Sequence, residues 1–456
     1  MPGLQTPGRG GVVLNTDSIL ARIRPQEKER KAEEKMRRRV FKILEGYPVK
    51  PILVGSIAKD TDLAGNKDLD IFIQFPPQVP RQELEKQGLR IGKAVFTRLG
   101  GAYEIDYAEH PYVKGVVEDI QVEIVPCYSG GSILSAVDRT PQHTEYVRGK
   151  LASNSLNDEI RLMKQFMRGI GVYGAEAKVE GFSGYLVELL VICYGSFLKC
   201  LEAGRTWDIP EIIDMEKLWD DPRPLARFFT GSNLIVVDPV DRNRNVAAAV
   251  SPECLSRFMV KADEYVNRPS EDFFFPKPKP MRKADALGKA MKERKTKFIC
   301  VLFRHERMNA NILYSQLRKT MRNIAAELAE AEFKVFRDAF WTNENDSAVL
   351  LFELEVWSLP VIVHRVGPPL HQDAHNQERF VEKYRQDKPY IKDGRWVVDT
   401  KRRYRTALQL MPEILAKKKG FGKNIRDLKD VEVLEDSGLF MIKDPGWLGF
   451  LNGYLD

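Results

Sequence analysis

The chain has 456 residues, 43% of them hydrophobic, which suggests about three domains and excludes a protein too small or too polar to form cores. A formal charge of +7 and a pI of 8.9 favour a polyanionic partner. The five cysteines show no C-x-x-C or zinc-like spacing, and the N-terminus has no apolar signal-peptide core, so a disulfide scaffold is excluded and a reduced cytoplasm is expected.

Residues 1–17 are glycine-rich, and Glu27 to Leu44 is a strongly charged stretch of helical propensity. The run GSIAKDTDLAGNKDLDIF follows. Gly55 lets the backbone approach an anion closely, and the Ser56 hydroxyl adds a donor to a phosphate-binding turn. Asp68 and Asp70 lie two apart in a run continuing Ile71-Phe72-Ile73. On a strand they share one face while Leu69 and Ile71 point the other way. In Asp119 to Pro126, Ile120, Val122 and Ile124 alternate with Asp119, Gln121 and Glu123, the pattern of a half-buried strand closing at the proline. Glu123 then completes a triad of hard oxygen ligands with Asp68 and Asp70, suited to Mg²⁺ and to two-metal nucleotidyl transfer. A turn followed by a strand with a charged outer face is the plainer alternative.

From Ser155 the period becomes helical, with Ser155 and Asp158 as a capping box and Ile160, Met163, Phe166 or Met167, and Ile170 on one face. Arg161, Lys164 and Arg168 line another face, either as a solvated stripe or as a phosphate contact. The break at Gly169, Gly171 and Gly174 presents Tyr173 to a site or packs it. Tyr185 to Leu198 is the most apolar segment, interrupted by Glu188 and too short to cross a bilayer. It is expected to be one buried helix, started by Ser183 and stopped by Gly204.

The alternating prolines of Phe273 to Pro280 rule out helix and mark a boundary. Lys297 to Phe303 reads as a strand, Asn311 to Glu332 as an amphipathic helix, and Lys334 to Phe340 and Ala348 to Val356 as two more strands. That β-α-β-β order suits an RRM-like sheet, though no aromatic RNP motif accompanies it. After Pro368-Pro369 the chain becomes dense in base, including Arg395, Arg402, Arg403 and Arg405, with Tyr390, Trp396 and Tyr404 interleaved. Such a mixture fits either an RNA-tracking surface or a solvated face.

The blocks GSIAKDTDLAGNKDLDIF, YAEHPYVKGVVEDIQVEIVPCY, SAVDRTPQHTEYV, EIRLMKQFMRGIGVYGAEAKVEGFSGYLVELL and VVDPVDRNRNVAA, and more weakly IKDGRWVV, run in order from about residue 50 to 400. Together they resemble the archaeal-type, class I CCA-adding enzymes, tRNA nucleotidyltransferases of the DNA polymerase beta superfamily. The resemblance implies a multidomain α/β (α+β) chain: a polymerase-beta-like nucleotidyltransferase head (1–150), a helical neck completing the nucleotide site (151–272), an RRM-like body (273–370) and a basic tRNA-binding tail (371–456). It implies that Gly55, Ser56 and Lys59 hold the triphosphate, that Asp68, Asp70 and Glu123 hold Mg²⁺, and that His143, Lys164, Tyr173 and Arg244 contact the incoming CTP or ATP. Glu123 departs from the family, which more often has Asp there. His110 falls near the primer end by family position, or makes a structural hydrogen bond. The tail, with Arg395, Arg402, Arg403 and Arg405, would receive the elbow of tRNA. The expected activity is addition of C, C and A to the 3′ end of tRNA. The alternatives are another RNA-tailing nucleotidyltransferase, such as a poly(A) or uridylyl polymerase, and an inactive tRNA-binding protein. No membrane partner is expected; a homodimer is compatible with the sequence, which does not set the oligomeric state.

Overall fold

The computed structural model describes residues 14–107, 109–130, 133–221, 223–371 and 373–456. Residues 1–13 of the glycine-rich start lie outside the described residues, whereas Asp17–Ile23 is already helix α1, with Ile19, Leu20 and Ile23 buried. The chain divides into two units between Pro278 and Lys279, inside the proline-rich stretch.

In the first unit, α2 (Glu27–Leu44) buries a stripe of Glu33, Met36, Val40 and Leu44. After it come β1 (Lys50–Leu53), the single-turn helix α3 (Gly55–Lys59), β2 (Asp68–Phe75), α4 (Arg81–Leu99), β3 (Ala102–Tyr107), β4 (Pro111–Val117) and β5 (Ile120–Tyr128). The strands form one mixed sheet in the order β1-β2-β5-β4-β3, in which only β2 and β5 run parallel. Because side chains alternate along a strand, Leu69, Ile71, Ile73, Val122 and Ile124 face α2 and α4 in one core. Each such fully buried side chain contributes about 1.5–3 kcal/mol relative to an exposed one. The opposite face carries Asp68, Asp70 and Glu123. Asp119 is not in the strand, as the alternation suggested: Glu118 and Asp119 both have positive φ (51° and 63°) in the hairpin turn before β5, and β5 runs through Pro126 to Tyr128.

The rest of this unit is mainly helical: α5 (Arg139–Asn154), α6 (Asn157–Gly169), α7 (Gly184–Tyr194), α8 (Phe197–Gly204), the turn α9 (Leu225–Phe228) and α10 (Pro252–Asn267). A three-stranded sheet of β6 (Glu211–Ile213), β7 (Leu234–Asp238) and β8 (Asp241–Asn245) accompanies them. Two sequence expectations are corrected here. Ser155 does not cap α6; it closes α5 with φ of 50°, and Asp158 instead receives Arg24 and Arg161. The apolar segment is two helices at 94°, because Gly195 takes a φ of +83° and Ser196 caps a new start; Ser183 does cap the first, accepting from the Leu186 N–H. Among the described residues, no single helix is long and apolar enough to cross a membrane.

The second unit contains α11 (Ala284–Glu293), β9 (Lys297–Arg304), α12 (Ala310–Glu330), β10 (Val335–Thr342), β11 (Ser347–Leu354), β12 (Ile362–Pro369), α13 (Ala374–Lys383), β13 (Tyr390–Lys392), β14 (Arg395–Lys401), α14 (Ala407–Lys417), β15 (Lys429–Glu435) and α15 (Pro445–Tyr454). The four-stranded sheet has the order β10-β11-β9-β15, with all neighbours antiparallel. The sequence supplied β-α-β-β; the missing helix and strand, α14 and β15, come from beyond residue 371. Leu410, Met411 and Ile414 of α14 share a core with α12 and with Ile299, Val301 and Phe303. The packing therefore does not break at residue 370, and β12 to β14 form a separate small sheet inserted between β11 and α14.

Glu33 sits where the α2 stripe calls for an apolar residue. Burial, then the nearby Asp62 and Glu29 charges, push its carboxyl up to about 7. A folded-state value above the unfolded one means that the fold favours the protonated acid. Its contribution is complete below the unfolded pKa and is lost as pH rises through about 7. Glu33→Gln, a neutral near-isostere, is expected to stabilise the protein by about 1–3 kcal/mol at pH 8.5 and to have little effect at pH 5. Urea denaturation at the two pH values measures this; equal effects at both would contradict it.

Candidate active site

The parallel register places Asp70 directly beside Glu123, with Asp68 one step along beside Gln121. Asp68 accepts from Asn66 at 2.7 Å. Burial, then repulsion from Glu123 and Asp68, pushes Asp70 up to about 8, and burial raises Glu123 as well. Among the described residues, no three His, Cys, Asp or Glu side chains are drawn together as a ready-made metal cage. The three acids share one face of the sheet. Their chemistry fits a hard divalent cation: oxygen donors only, half-buried, with Asp70 short of a counter-charge.

Gly55 opens α3 with φ of +75°, and a Cβ there would stand 1.9 Å from Asp70 Oδ2. The turn needs glycine for both reasons; the sequence suggested a close approach to a phosphate, and the neighbour that the structure places there is the Asp70 carboxylate. Opposite Glu123 on β4 stands Lys114, which donates to Asp106 at 2.6 Å. Neither residue was singled out from sequence, since β3 and β4 read as strands of ordinary mixed polarity.

Lys59 and Lys164 meet at one buried acid. Lys59 Nζ donates to Glu188 at 2.5 Å, and Lys164 Nζ donates to Glu188 at 2.8 Å and to the Thr61 carbonyl and hydroxyl at 3.0 Å each. Arg161 is buried too, held by Asp60, Asp62 and Asp158. The basic stripe of α6 is thus not a solvated face: two of its three cations are inside. Tyr173 lies close by, since a Cβ on Gly184 would meet its hydroxyl at 3.0 Å and Lys164 Nζ at 4.0 Å. Burial pushes the phenol up to about 12.

A second buried acid gathers the remaining candidates. Asp238 accepts from Arg244 at 2.7 Å and from Tyr185 at 3.2 Å, and lies 2.8 Å from His143 Nε2. The His143 ring stacks on Tyr185 with centroids 3.9 Å apart. Burial keeps His143 below its ordinary pKa despite the carboxylate beside it. Burial alone would raise Asp238, but the hydrogen bonds from His143, the Val240 N–H and Arg244 hold it below the usual carboxylate range. A neutral imidazole donating to an ionised Asp238 satisfies both. Arg244 is partly exposed, on a cleft of about 610 Å³ that Arg139, Ser183, Asp241 and Asn243 also line. Tyr185 and Glu188, three apart, lie on one face of α7, which thus carries the first acid and a hydroxyl that donates to the second. Sequence reasoning missed Asp238 and Tyr185, which carry no pattern of their own; Glu188 was visible as a charge in an apolar run.

The other candidates are scattered. His110 is buried, and neither ring nitrogen has a hydrogen-bond partner among the described residues, so burial lowers its pKa. In the second unit, Arg402 is tied to Glu332 at 2.7 Å with its side chain only 14% exposed. Arg403 pairs with Glu413 at 2.8 Å but remains largely exposed, as do Arg405 and Arg395.

Three family descriptions match successive parts of the chain: a nucleotidyltransferase domain over residues 33–147, a tRNA nucleotidyltransferase second domain over 158–275, and a CCA-adding enzyme C-terminal domain over 294–436. A CCA-adding enzyme of Methanothermobacter thermautotrophicus is 35% identical over 90% of both chains. One from Archaeoglobus fulgidus is 38% identical over 86% of both, and one from Methanosarcina acetivorans 36% identical over 96% of this chain and 97% of its own. The chain belongs to the CCA-adding enzyme family. A solved Cid1 chain, described for its RNA terminal uridylyl transferase activity, aligns over 58% of this chain and 97% of its own at 13% identity and a TM-score of 0.47. In this CCA-adding enzyme family member, the matched nucleotidyltransferase domain carries Asp68, Asp70, Glu123 and His143, and the matched second domain carries Lys164, Tyr173, Glu188, Asp238 and Arg244.

Gly55→Ala is expected to cost about 1–2 kcal/mol from positive-φ strain alone, and more from the clash with Asp70. In an Asp70→Ala background the clash with the carboxylate is gone, so the same substitution is expected to cost less. Urea denaturation of the four proteins gives the coupling. Equal costs in both backgrounds would show that the carboxylate does not restrict this position.

Proposed function

We propose that this chain adds C, C and A to the 3′ end of tRNA from CTP and ATP, without a nucleic-acid template, releasing pyrophosphate. The observation that carries the reading is the near-full-length match to CCA-adding enzymes together with an acidic sheet face set beside buried lysines in one unit. Asp68, Asp70 and Glu123 would hold Mg²⁺, which when bound supplies charge neutralisation at the phosphates and a more acidic 3′ hydroxyl.

The other residues bind and orient. The N–H groups and hydroxyl of Gly55-Ser56, with Lys59, Lys164 and Tyr173, face the triphosphate, so the transferring phosphorus is held beside the acids. His143 and Tyr185 stack as one platform beside the nucleotide. Cytosine and adenine both present an exocyclic amino donor next to a ring-nitrogen acceptor, whereas uracil and guanine present a carbonyl and an N–H. Arg244 would donate to that ring nitrogen, with Asp238 fixing its orientation. The exposed cations Arg395, Arg403 and Arg405 would contact tRNA phosphates, with Arg402 bracing that surface through Glu332.

The deciding experiment supplies tRNA transcripts lacking the last three nucleotides with each NTP singly and in combination. Ordered C, C, A addition is expected; a homopolymer of U or A would mark a tailing polymerase instead. Asp68→Ala and Asp70→Ala are each expected to lower turnover at least about a thousandfold while leaving tRNA affinity nearly unchanged. Glu123→Gln should behave likewise and Glu123→Asp should retain activity; full turnover in Glu123→Gln would remove the third ligand from the scheme.

Base choice gives a separate test. Arg244→Ala is expected to raise UTP incorporation relative to CTP by about tenfold or more, because the site loses a donor whose absence penalised the wrong base. Slower turnover with an unchanged CTP-to-UTP ratio would limit Arg244 to bracing its loop.

A further inference from the structure

A glutamate inside the most apolar helix of the protein needs an explanation. Glu188 is fully buried, and Leu186, Val187, Leu189, Leu190 and Val191 around it on α7 are buried apolar residues. An isolated carboxylate there is costly, and burial alone would raise its pKa. Instead the two lysines outweigh burial and hold it down to about 2. Three groups converge on it: Lys59 at 2.5 Å, Lys164 at 2.8 Å and the Thr61 hydroxyl at 2.6 Å.

The charges in this cluster do not cancel. Two ammoniums with side-chain exposures of 8% and 3% face one carboxylate. The neighbouring acids do not complete the balance by contact. Asp60 and Asp62 are engaged by Arg161, and Asp70 feels Lys59 only through space. The donor inventory is equally uneven. Lys164 has three N–H groups and three acceptors, whereas Lys59 donates to Glu188 and to no other described acceptor. Two ammonium donors of Lys59 therefore remain for an anion, in a cluster whose local excess is positive.

Glu188 also joins separate stretches of chain. Lys59 ends α3 immediately after the Gly55-Ser56 turn, Thr61 follows it, Lys164 comes from α6 and Glu188 from α7. We infer that Glu188 is a positioning residue for the triphosphate: a buried counter-ion that locks the turn bearing Lys59 to the helix bearing Lys164, aiming the Lys59 ammonium while leaving the net charge of the pair to the nucleotide's phosphates. This rests on the reading that these lysines face the triphosphate. It adds that their placement depends on an acid that touches no substrate. Removing the acid leaves two like charges buried side by side, and they move apart.

The test measures phosphate binding apart from base binding. Inhibition by inorganic tripolyphosphate and by CMP, at fixed free Mg²⁺, is compared with the KM values for CTP, ATP and tRNA. Glu188→Gln is expected to weaken tripolyphosphate inhibition about tenfold or more, the scale of a lost charge-assisted hydrogen bond, and to raise both nucleotide KM values by the same factor. CMP inhibition and the tRNA KM should not change. Glu188→Asp keeps the charge but is too short to reach both lysines, so it should move in the same direction by less, and it carries the measurement if Glu188→Gln does not fold. Unaltered tripolyphosphate inhibition in these variants, or equal losses for CMP and tRNA, would overturn the assignment. Lys59→Met separates the two levels: undiminished tripolyphosphate inhibition there would remove the reading that the lysines face the triphosphate, and the role of Glu188 with it.

Discussion

The site depends on the register of β2 against β5. A strand has a side-chain period of two, so the pairing that buries Leu69, Ile71 and Ile73 against α2 and α4 necessarily turns Asp68 and Asp70 to the other face. A slip of one residue would put two carboxylates into the core and three aliphatic side chains into the site. The hydrophobic packing of the sheet thus specifies the acidic geometry. The acids do not stabilise the fold. Asp70 is strained electrostatically by its neighbours, and Gly55 must lack a Cβ so that the turn can pass the carboxylate. Strain of this kind persists where the surrounding structure over-determines it.

Around that face, cations are held by acids rather than by solvent. Glu188 and Asp238 are both fully buried, and each gathers side chains from several elements. A lysine or arginine left free on a surface samples many rotamers; one held by a buried carboxylate does not. Such an acid is stable inside only because cations neutralise it, and the cations are ordered only because it is there. α7 brings the two clusters together, with Tyr185 on Asp238 and Glu188 on the lysines.

What the sequence made legible follows from how local each signal is. The acids of β2 and β5 and the strands β9, β10 and β11 rest on spacing within a few residues, and the structure has strands there, although Asp119 falls in the turn before β5. Apart from the family resemblance, Lys164 was visible as one member of a basic stripe, because a helical pattern reports which residues share a face and not which face is buried. Asp238 and Tyr185 take their meaning from partners about a hundred and about fifty residues away, which no local pattern contains. The capping box at Ser155 and the single helix through Gly195 failed for a related reason: short motifs compete with tertiary demands, and Arg24 and Arg161 took Asp158 while Gly195 turned the chain. The body's missing strand was hidden by the long insertion before it, so β15 read as tail.

That completed sheet limits how the second unit can meet RNA. RRM-type recognition uses aromatic side chains on an open sheet face, but here both faces are covered. Ile299, Val301 and Phe303 pack under α12 and α14, while Phe298 and Cys300 pack against Leu287, Met291, Trp447 and Leu451 from α11 and α15. The absence of an RNP motif is therefore matched, among the described residues, by packing on both faces of the sheet. A polyanion bound to this unit as proposed would therefore meet its edges and insertions. The exposed cations Arg395, Arg403 and Arg405 lie on or beside the small inserted sheet, whose β13 also exposes Tyr390 and Ile391. The RRM-like topology serves here as a scaffold that presents an insertion, a use of the fold that its strand order alone does not reveal.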